Sequence, residues 1–177
     1  MKKRGKKAEG FLGMGFGMIF SIFLIIIFII TAVYAIKQFL SWGDCTKVGT
    51  FLNDFQNEVS TIFNSQHSSV SFPGTIPSGV KYVCFTNFSD KVRGQFLDIG
   101  QDLSFYGGTR DNLFFYPRGK ACIKAKQILN LNMASITKID NPYCIPVVKG
   151  KITIGISKGF NQGLVNLAWR IILKWQN

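Results

Sequence analysis

Four cysteines are the residues of this 177-residue chain that most clearly predict chemistry. Cys45, Cys84, Cys122 and Cys144 all follow a long apolar stretch near the N-terminus. An even number of cysteines on one side of an apolar segment is typical of an exported domain that forms disulfides. The sequence therefore predicts two disulfides in an oxidising compartment.

The sequence does not determine how these cysteines pair, because four cysteines allow three connectivities. We favour Cys45–Cys84 with Cys122–Cys144. The first bridge would then join the start of a predicted helix to the first strand that it covers. The second would join the start of one predicted strand to the residues that follow the next turn. Bridged Cα atoms must lie within about 7 Å of each other, so geometry decides among the pairings.

Signals for other chemistry are weak. His67 is the only histidine and no Cys-x-x-Cys pair occurs, which argues against a zinc site. Asp98 and Asp102 lie four residues apart and could share a helix face as an acid–base pair, but exposed acidic turns give this spacing more often. P-loop, Gly-x-Ser-x-Gly and His-Glu-x-x-His signatures are absent. We therefore expect no catalytic residue, cofactor or metal ligand.

One tripeptide, Asn87-Phe88-Ser89, matches the acceptor pattern for N-glycosylation. A glycan on Asn87 would require that this residue lies on the outer surface of an exported domain. Three-residue patterns often arise by chance, so both interpretations stay open.

The remaining elements are organised around an uncharged stretch from Gly10 to Ile36. A transmembrane helix needs about 20 apolar residues, whereas the apolar core of a cleaved signal peptide has about 7–15. Five basic residues precede the stretch and its other flank is nearly neutral, so the N-terminus is predicted to be cytoplasmic. We expect a basic cytoplasmic tail at 1–9, a transmembrane helix at 10–40 and an exported domain at 41–177.

The transmembrane stretch contains a Gly-x-x-x-Gly pair, Gly13 and Gly17. Glycines at this spacing share one helix face and allow a second helix to approach closely in lipid. The partner would be a second copy of the chain or another membrane protein. Glycine is also common in such helices without any packing role, so the motif does not decide the matter.

The exported domain begins with apolar residues at helical spacing, which predict an amphipathic helix at about 46–64 after a break at Gly43. The stripe consists of Val48, Phe51, Leu52, Phe55, Val59, Ile62 and Phe63. Residues 68–79 contain two prolines and two glycines and are predicted to form a turn-rich connector.

Short runs of β-branched and aromatic residues predict a β-rich region over 80–160. The runs are 80–87, 112–117, 120–133, 143–148 and 151–159. Within 120–133, Ile123, Ala125 and Gln127 alternate with lysines, as in an antiparallel strand with one wet face. Residues 98–108 are a loop or a short helical turn. Residues 163–176 fit a last strand or an interfacial amphipathic helix equally well. The predicted fold class is α+β, with the amphipathic helix packed on an antiparallel β-sheet.

The chain is strongly basic, with 21 Lys and Arg against 9 Asp and Glu. Much of the excess lies between Arg118 and Lys158, where Asp140 is the only acidic residue. A basic outer surface favours attraction to acidic envelope polymers. Nucleic acid is a less favoured partner, because no reader motif is present.

Two resemblances bear on function. The stretch from Gly17 to Leu40, followed by a cysteine, TFLNDFQNEV, YVCF, NLFFYP and NPYCI, resembles a group of uncharacterised single-span membrane proteins of small-genome archaea. The likeness covers most of the chain and implies the same topology, but it implies no activity.

The chain also resembles type IV pilins and their archaeal relatives, though less closely. Phe11 to Asn64 has their two-part helix, apolar and then amphipathic, and a β-rich head follows. Cleavage after Gly5 would place Glu9 at the fourth mature position, whereas pilins carry glutamate at the fifth. The leading expectation is a non-enzymatic surface protein of the cell membrane with a structural or interaction role, and the alternative is a pilin-like filament subunit.

Overall fold

The computed structural model describes residues 9–66, 68–160 and 162–168. The chain divides into two compact units, Met1–Trp42 and Gly43–Asn177. Helix α1, Glu9–Asn64, contributes residues to both units. Its end at Asn64 confirms the predicted end of the amphipathic helix.

In the first unit, α1 is long and apolar enough to cross a membrane. Its most apolar 18-residue window has a mean hydropathy of 3.0, and none of that window is buried. The hydroxyls of Ser21 and Thr31 donate to the carbonyls of Gly17 and Ile27, at 2.9 and 3.0 Å. Hydrocarbon offers no hydrogen-bond partner, so this internal pairing is what a lipid-facing hydroxyl requires.

The predicted break at Gly43 is wrong, because residues 41–44 are helical. A single glycine lowers helix stability by only about 1 kcal/mol relative to alanine. Asp44 pairs with Lys47 three residues later at 3.1 Å, and the buried stripe that starts at Val48 holds the following turns. The amphipathic segment is therefore the second part of α1 and does not begin as a separate helix at 46.

The second unit contains two antiparallel sheets. Sheet A has the order β1–β6–β7, with β1 at Ser68–Thr75, β6 at Lys151–Lys158 and β7 at Asn166–Ala168. Sheet B has the order β4–β3–β2–β5, with β2 at Tyr82–Phe85, β3 at Leu113–Tyr116, β4 at Ala125–Lys126 and β5 at Tyr143–Pro146. The short helices are α2, Leu97–Leu103, with a 3-10 turn at Ser104–Tyr106, and α3, Met133–Ile136. The α+β fold class is confirmed.

The second part of α1 packs against both sheets. Its apolar stripe is buried as predicted, apart from Phe63, which is half-buried. The Phe51 ring lies 5.8 Å from that of Phe72 in sheet A and 6.1 Å from that of Phe115 in sheet B. One helix face therefore holds the two sheets in a single core.

Sheet B is covered on both faces. Successive strand residues point to opposite sides, so Val83 and Phe85 join the α1 core while Cys84 faces away from it. On that other face, Cys84 and Phe114 pack with Ile99 and Leu103 of α2. Residues 98–108, which the sequence left as a loop or helical turn, supply this cover.

The predicted connector at 68–79 is wrong, since most of it forms β1. Proline is tolerated on edge strands, and β1 pairs only with β6. Gly74 lies where α1 crosses the strand, and a Cβ there would fall 2.5 Å from the Phe51 ring. The edge position of β1 thus accommodates Pro73, and the close approach of the Phe51 ring explains Gly74.

The predicted strand in 120–133 is also largely wrong, because β-structure there is limited to strand Ala125–Lys126 and an isolated bridge at Leu131. Ile123 and Gln127 are exposed, contrary to the expected alternation. The Asn112 side chain occupies the place of a strand partner, donating to the Ile128 carbonyl and accepting from its N–H, both at 2.8 Å. Of the C-terminal segment, 166–168 is strand β7, and residues 169–176 lie outside the described residues.

Phe55→Ala should lower the free energy of unfolding of the domain by about 3–5 kcal/mol. The side chain is 0% exposed, and its ring lies 5.4 Å from Phe72 and 5.9 Å from Phe85. The measurement is denaturant unfolding of the full chain in detergent, followed by near-ultraviolet circular dichroism. Asn53→Ala, an exposed site on the same helix, is the control and should change stability by less than about 0.5 kcal/mol. Equal effects of the two substitutions would contradict a core position for Phe55.

Candidate functional site

Both predicted disulfides are present, but their pairing differs from the one we favoured. The bridges are Cys45–Cys122 and Cys84–Cys144, with Cα atoms 5.2 and 4.0 Å apart. Cys84 and Cys144 lie directly opposite each other on β2 and β5. Cys84 is on the face of sheet B away from α1, so it is out of reach of a cysteine on that helix. The alternation of Val83, Cys84 and Phe85 was the sequence signal that could have excluded a Cys45–Cys84 bridge.

Peptide mapping without reduction should yield Cys45 linked to Cys122 and Cys84 linked to Cys144. The bridges join residues separated by 77 and 60 positions. Each should contribute about 4 kcal/mol by restricting the unfolded chain. Replacing both cysteines of one bridge by alanine should therefore lower the free energy of unfolding measurably. A Cys45–Cys84 peptide would show that the structural pairing is wrong.

A groove of about 340 Å³ with polar and aromatic lining lies beside the Cys84–Cys144 bridge. It is lined by Tyr82, Gln95, Phe96, Asp140, Tyr143, Cys144 and Pro146. Its volume is within the range of small-ligand sites. We call it the aromatic groove.

Local contacts fix the walls of the aromatic groove. The Tyr82 and Phe96 rings meet edge to face with centroids 5.5 Å apart. Asp140 accepts a hydrogen bond from the N–H of Gln95 at 2.9 Å. Burial, and then the nearby charge of Asp140, raise the pKa of Tyr143 above its usual value. The phenol therefore keeps its proton at neutral pH and can donate a hydrogen bond.

Tyr143 should be among the last tyrosines to ionise in an alkaline titration. A pKa raised by folding stabilises the protonated, folded state. That contribution is complete below the unfolded pKa of about 10 and is lost as pH rises through the folded pKa. The measurement is phenolate absorbance against pH for the full chain and for its Tyr143→Phe variant. The variant should lack a transition that the unmodified chain shows at high pH. The difference should move to an ordinary tyrosine pKa in denaturant, and an early transition in the folded protein would contradict the assignment.

A single buried amide holds the loop that follows β2. Asn141 is 0% exposed and donates to the carbonyls of Asn87, Asp90 and Lys91 at 2.9, 3.2 and 3.2 Å. Its Oδ1 accepts from the Asn87 N–H at 3.1 Å. Both N–H groups and one lone pair of this buried amide are used within the protein, which indicates a structural role.

Arg93 reinforces the same loop. Its guanidinium lies 2.8 Å from Asp90 and donates to the carbonyls of Thr137 and Lys138 at 2.9 and 3.1 Å. Its hydrogen bond holds the pKa of Asp90 below the usual value. Asn87 is half-buried, and its Oδ1 accepts from the Ser89 N–H at 3.1 Å. Glycosylation of Asn87 stays a prediction.

Asp98 and Asp102 both lie on α2, as their spacing predicted. Asp98 is exposed, and Asp102 forms an ion pair with Arg118. The structure thus gives Asp102 a surface contact that links α2 to the turn after β3. Within residues 9–66, 68–160 and 162–168, no group of three or more His, Cys, Asp or Glu side chains could hold a metal ion. His67 lies outside these ranges.

The two glycines of the predicted packing motif are both helical. A Cβ added to Gly17 would meet no atom within 4 Å, so this face of α1 is open. The surroundings of Gly13 lie outside what the structure describes. Association through this face stays a prediction.

One functional contact escaped the sequence analysis. The Lys158 ammonium donates to the carbonyls of Phe63 and Ser65, the latter at 3.0 Å, and lies 5.1 Å from the Phe63 ring centroid. A cation at a helix C-terminus satisfies free carbonyls and opposes the helix dipole. The contact depends on the pairing of β6 with β1, which no local pattern shows.

Comparisons with protein-family models, with curated proteins and with solved structures found no match. The arguments for function therefore depend on the chain itself.

Proposed function

We propose that the protein is a single-pass protein of the cell membrane with a cytoplasmic N-terminus and an extracytoplasmic disulfide-bonded domain. Its role is structural or interactive and not catalytic. The observation that carries the proposal is the division of α1 into two chemically different parts. The first has a fully exposed apolar window, and the second is the central element of a domain core.

The exposure of the first part supports a lipid-facing role. A core helix of a soluble protein would bury its apolar side chains, whereas Ile25, Phe28 and Ile30 are between 57 and 69% exposed. Water would make such a surface unfavourable over this length. A bilayer removes that cost and accepts a helix whose hydroxyls are satisfied internally.

The two disulfides support the extracytoplasmic placement of the domain. Disulfides persist in oxidising compartments and are rare where thiols are kept reduced. Both bridges lie in the second unit, on the C-terminal side of the apolar segment. Together with the five basic residues before that segment, they favour an inside N-terminus and an outside domain.

The interaction role is supported by the aromatic groove. It combines aromatic walls with an acceptor at Asp140 and a protonated phenol at Tyr143. Such mixed linings give a binding site its orientation and specificity. Acidic envelope polymers remain candidate partners of the basic surface.

A pilin-like filament subunit is the second candidate. It is favoured by the two-part helix and the antiparallel sheets that pack on its second part. Filament subunits of this kind lose a short leader, so sequencing the N-terminus of protein isolated from cells separates the two functions. A chain starting at Lys6 would favour the filament subunit, and an intact N-terminus would favour the anchored surface protein.

Protease added to intact cells should digest the domain and leave a short membrane-protected fragment that contains the apolar part of α1. The control is the same treatment after membrane permeabilisation, which should also remove residues before the span. Immunoblotting of a tag at each terminus shows which end of the chain the protease has removed. Full protection of a C-terminal tag in intact cells would contradict the proposed orientation.

A further inference from the structure

Several connections of the domain meet at the end where α1 joins it, which we call the Cys45 end. Cys45 is bridged to Cys122. Thr75, the last residue of β1, lines one groove together with Thr46 and Thr50 of α1. The segment after β3 and the end of β1 therefore both lie at the Cys45 end, and the segment after β5 is placed by the hydrogen bonds described next.

Backbone hydrogen bonds bring those segments together at the Cys45 end. The Ile76 N–H donates to the Gly150 carbonyl at 2.9 Å, which places the β5–β6 hairpin beside the end of β1. The Lys81 N–H donates to the Tyr116 carbonyl at 2.7 Å, and the Lys81 carbonyl accepts from Val147 at 2.8 Å. Segments 76–81, 116–122 and 147–151 thus form one surface.

Four lysines on this surface have no compensating charge. Lys81, Lys120, Lys149 and Lys151 are all exposed, and their ammonium groups make no hydrogen bond or ion pair with any described residue. Of the acidic residues nearby, Asp54 is exposed in the groove that Thr75 lines, and two others are already paired. Asp44 pairs with Lys47, and Asp102 pairs with Arg118.

The hairpin tip shows that one of these lysines, Lys149, does not suit the turn that it occupies. Lys149 and Gly150 have φ angles of 51° and 74°, and Val148 and Lys151 exchange two backbone hydrogen bonds across them. Such a turn favours Asn, Asp or Gly at both central positions. Lys149 therefore occupies a conformation that lysine disfavours, and the neighbouring Val148 is 62% exposed. An exposed apolar residue between cations is typical of a membrane-interface contact.

The proposed anchoring also limits how far Cys45 can lie from the bilayer. Cys45 follows Ile36, the last residue of the uncharged stretch, by nine residues. Even a fully extended segment of this length reaches only about 30 Å. A surface on so short a tether meets the membrane at a high effective concentration.

We infer that Lys81, Lys120, Lys149 and Lys151 bind anionic phosphodiester headgroups of the bilayer that anchors the chain. The inference rests on the proposed membrane anchoring. Each ammonium donates to phosphate oxygens as a compact charge, and exposed lysines near an anionic surface act together. An acidic polymer would also meet the basic residues elsewhere on the domain, whereas the bilayer reaches the Cys45 end first.

The test uses the full chain in lipid nanodiscs made of phosphatidylcholine alone or mixed with phosphatidylglycerol. Hydrogen–deuterium exchange is read at peptides covering 116–122 and 147–151. We expect exchange to be roughly threefold slower or more with phosphatidylglycerol, as weak electrostatic contacts allow. High salt should remove the difference, because it screens exposed charges.

A charge-matched pair of variants makes the test specific. Replacing Lys81, Lys120, Lys149 and Lys151 by glutamine should abolish the lipid-dependent protection. Replacing Lys91, Arg110, Lys126 and Lys138, which are exposed and lie outside segments 76–81, 116–122 and 147–151, should leave it intact. Near-ultraviolet circular dichroism confirms that both variants remain folded.

Three outcomes would overturn the inference. Equal exchange in both nanodiscs, with the chain incorporated, would contradict headgroup binding but not anchoring. Failure of the chain to co-elute with nanodiscs would contradict the proposed anchoring itself. Protection by soluble polyphosphate in phosphatidylcholine nanodiscs, with none from phosphatidylglycerol, would assign the surface to an acidic polymer.

Discussion

The burial of the second part of α1 is the interaction on which the rest of the domain depends. Phe51 and Phe55 contact rings from sheet A and sheet B, so neither sheet could keep its inner face dry without this helix. The same helix carries the exposed apolar window. The candidate membrane span and the central helix of the core are consequently parts of one element.

Sheet B connects this core to the outer surfaces. Its inner face meets α1, and its outer face holds the Cys84–Cys144 bridge under α2. The aromatic groove borders that bridge, and Lys81, Lys120 and Lys149 lie just before or after strands of the same sheet, whereas Lys151 begins β6 of sheet A. Rigid strands thus position both candidate interaction surfaces, while the residues that would meet partners lie at strand ends and in turns.

Local patterns predicted what depends on local spacing. The stripe from Val48 to Ile62 and the strands around Cys84, Phe114 and Cys144 follow from periodicity and residue type. The failures are non-local. Pro73 and Gly74 suggested a turn, but an edge position and the Phe51 ring explain them. The charge excess between Arg118 and Lys158 predicted a basic outer surface, but not the cluster at the Cys45 end, because folding gathers Lys81, Lys120 and Lys149 from distant connections. These lysines also lie far from the apolar segment in the sequence. Basic residues directly after that segment would oppose the predicted cytoplasmic N-terminus.

The Cys45–Cys122 bridge also determines how the domain would carry load. A force between membrane and domain enters along α1, and without the bridge it would peel the helix from the sheets one turn at a time, starting at Val48. With the bridge, tension passes from Cys45 to Cys122 and then toward β4, which pairs with β3 inside sheet B. The helix residues beyond Cys45 are thereby relieved of tension. Under pulling, the covalent bridge would outlast the non-covalent pairing of β4 with β3, so the load would fall on sheet B and not on the helix.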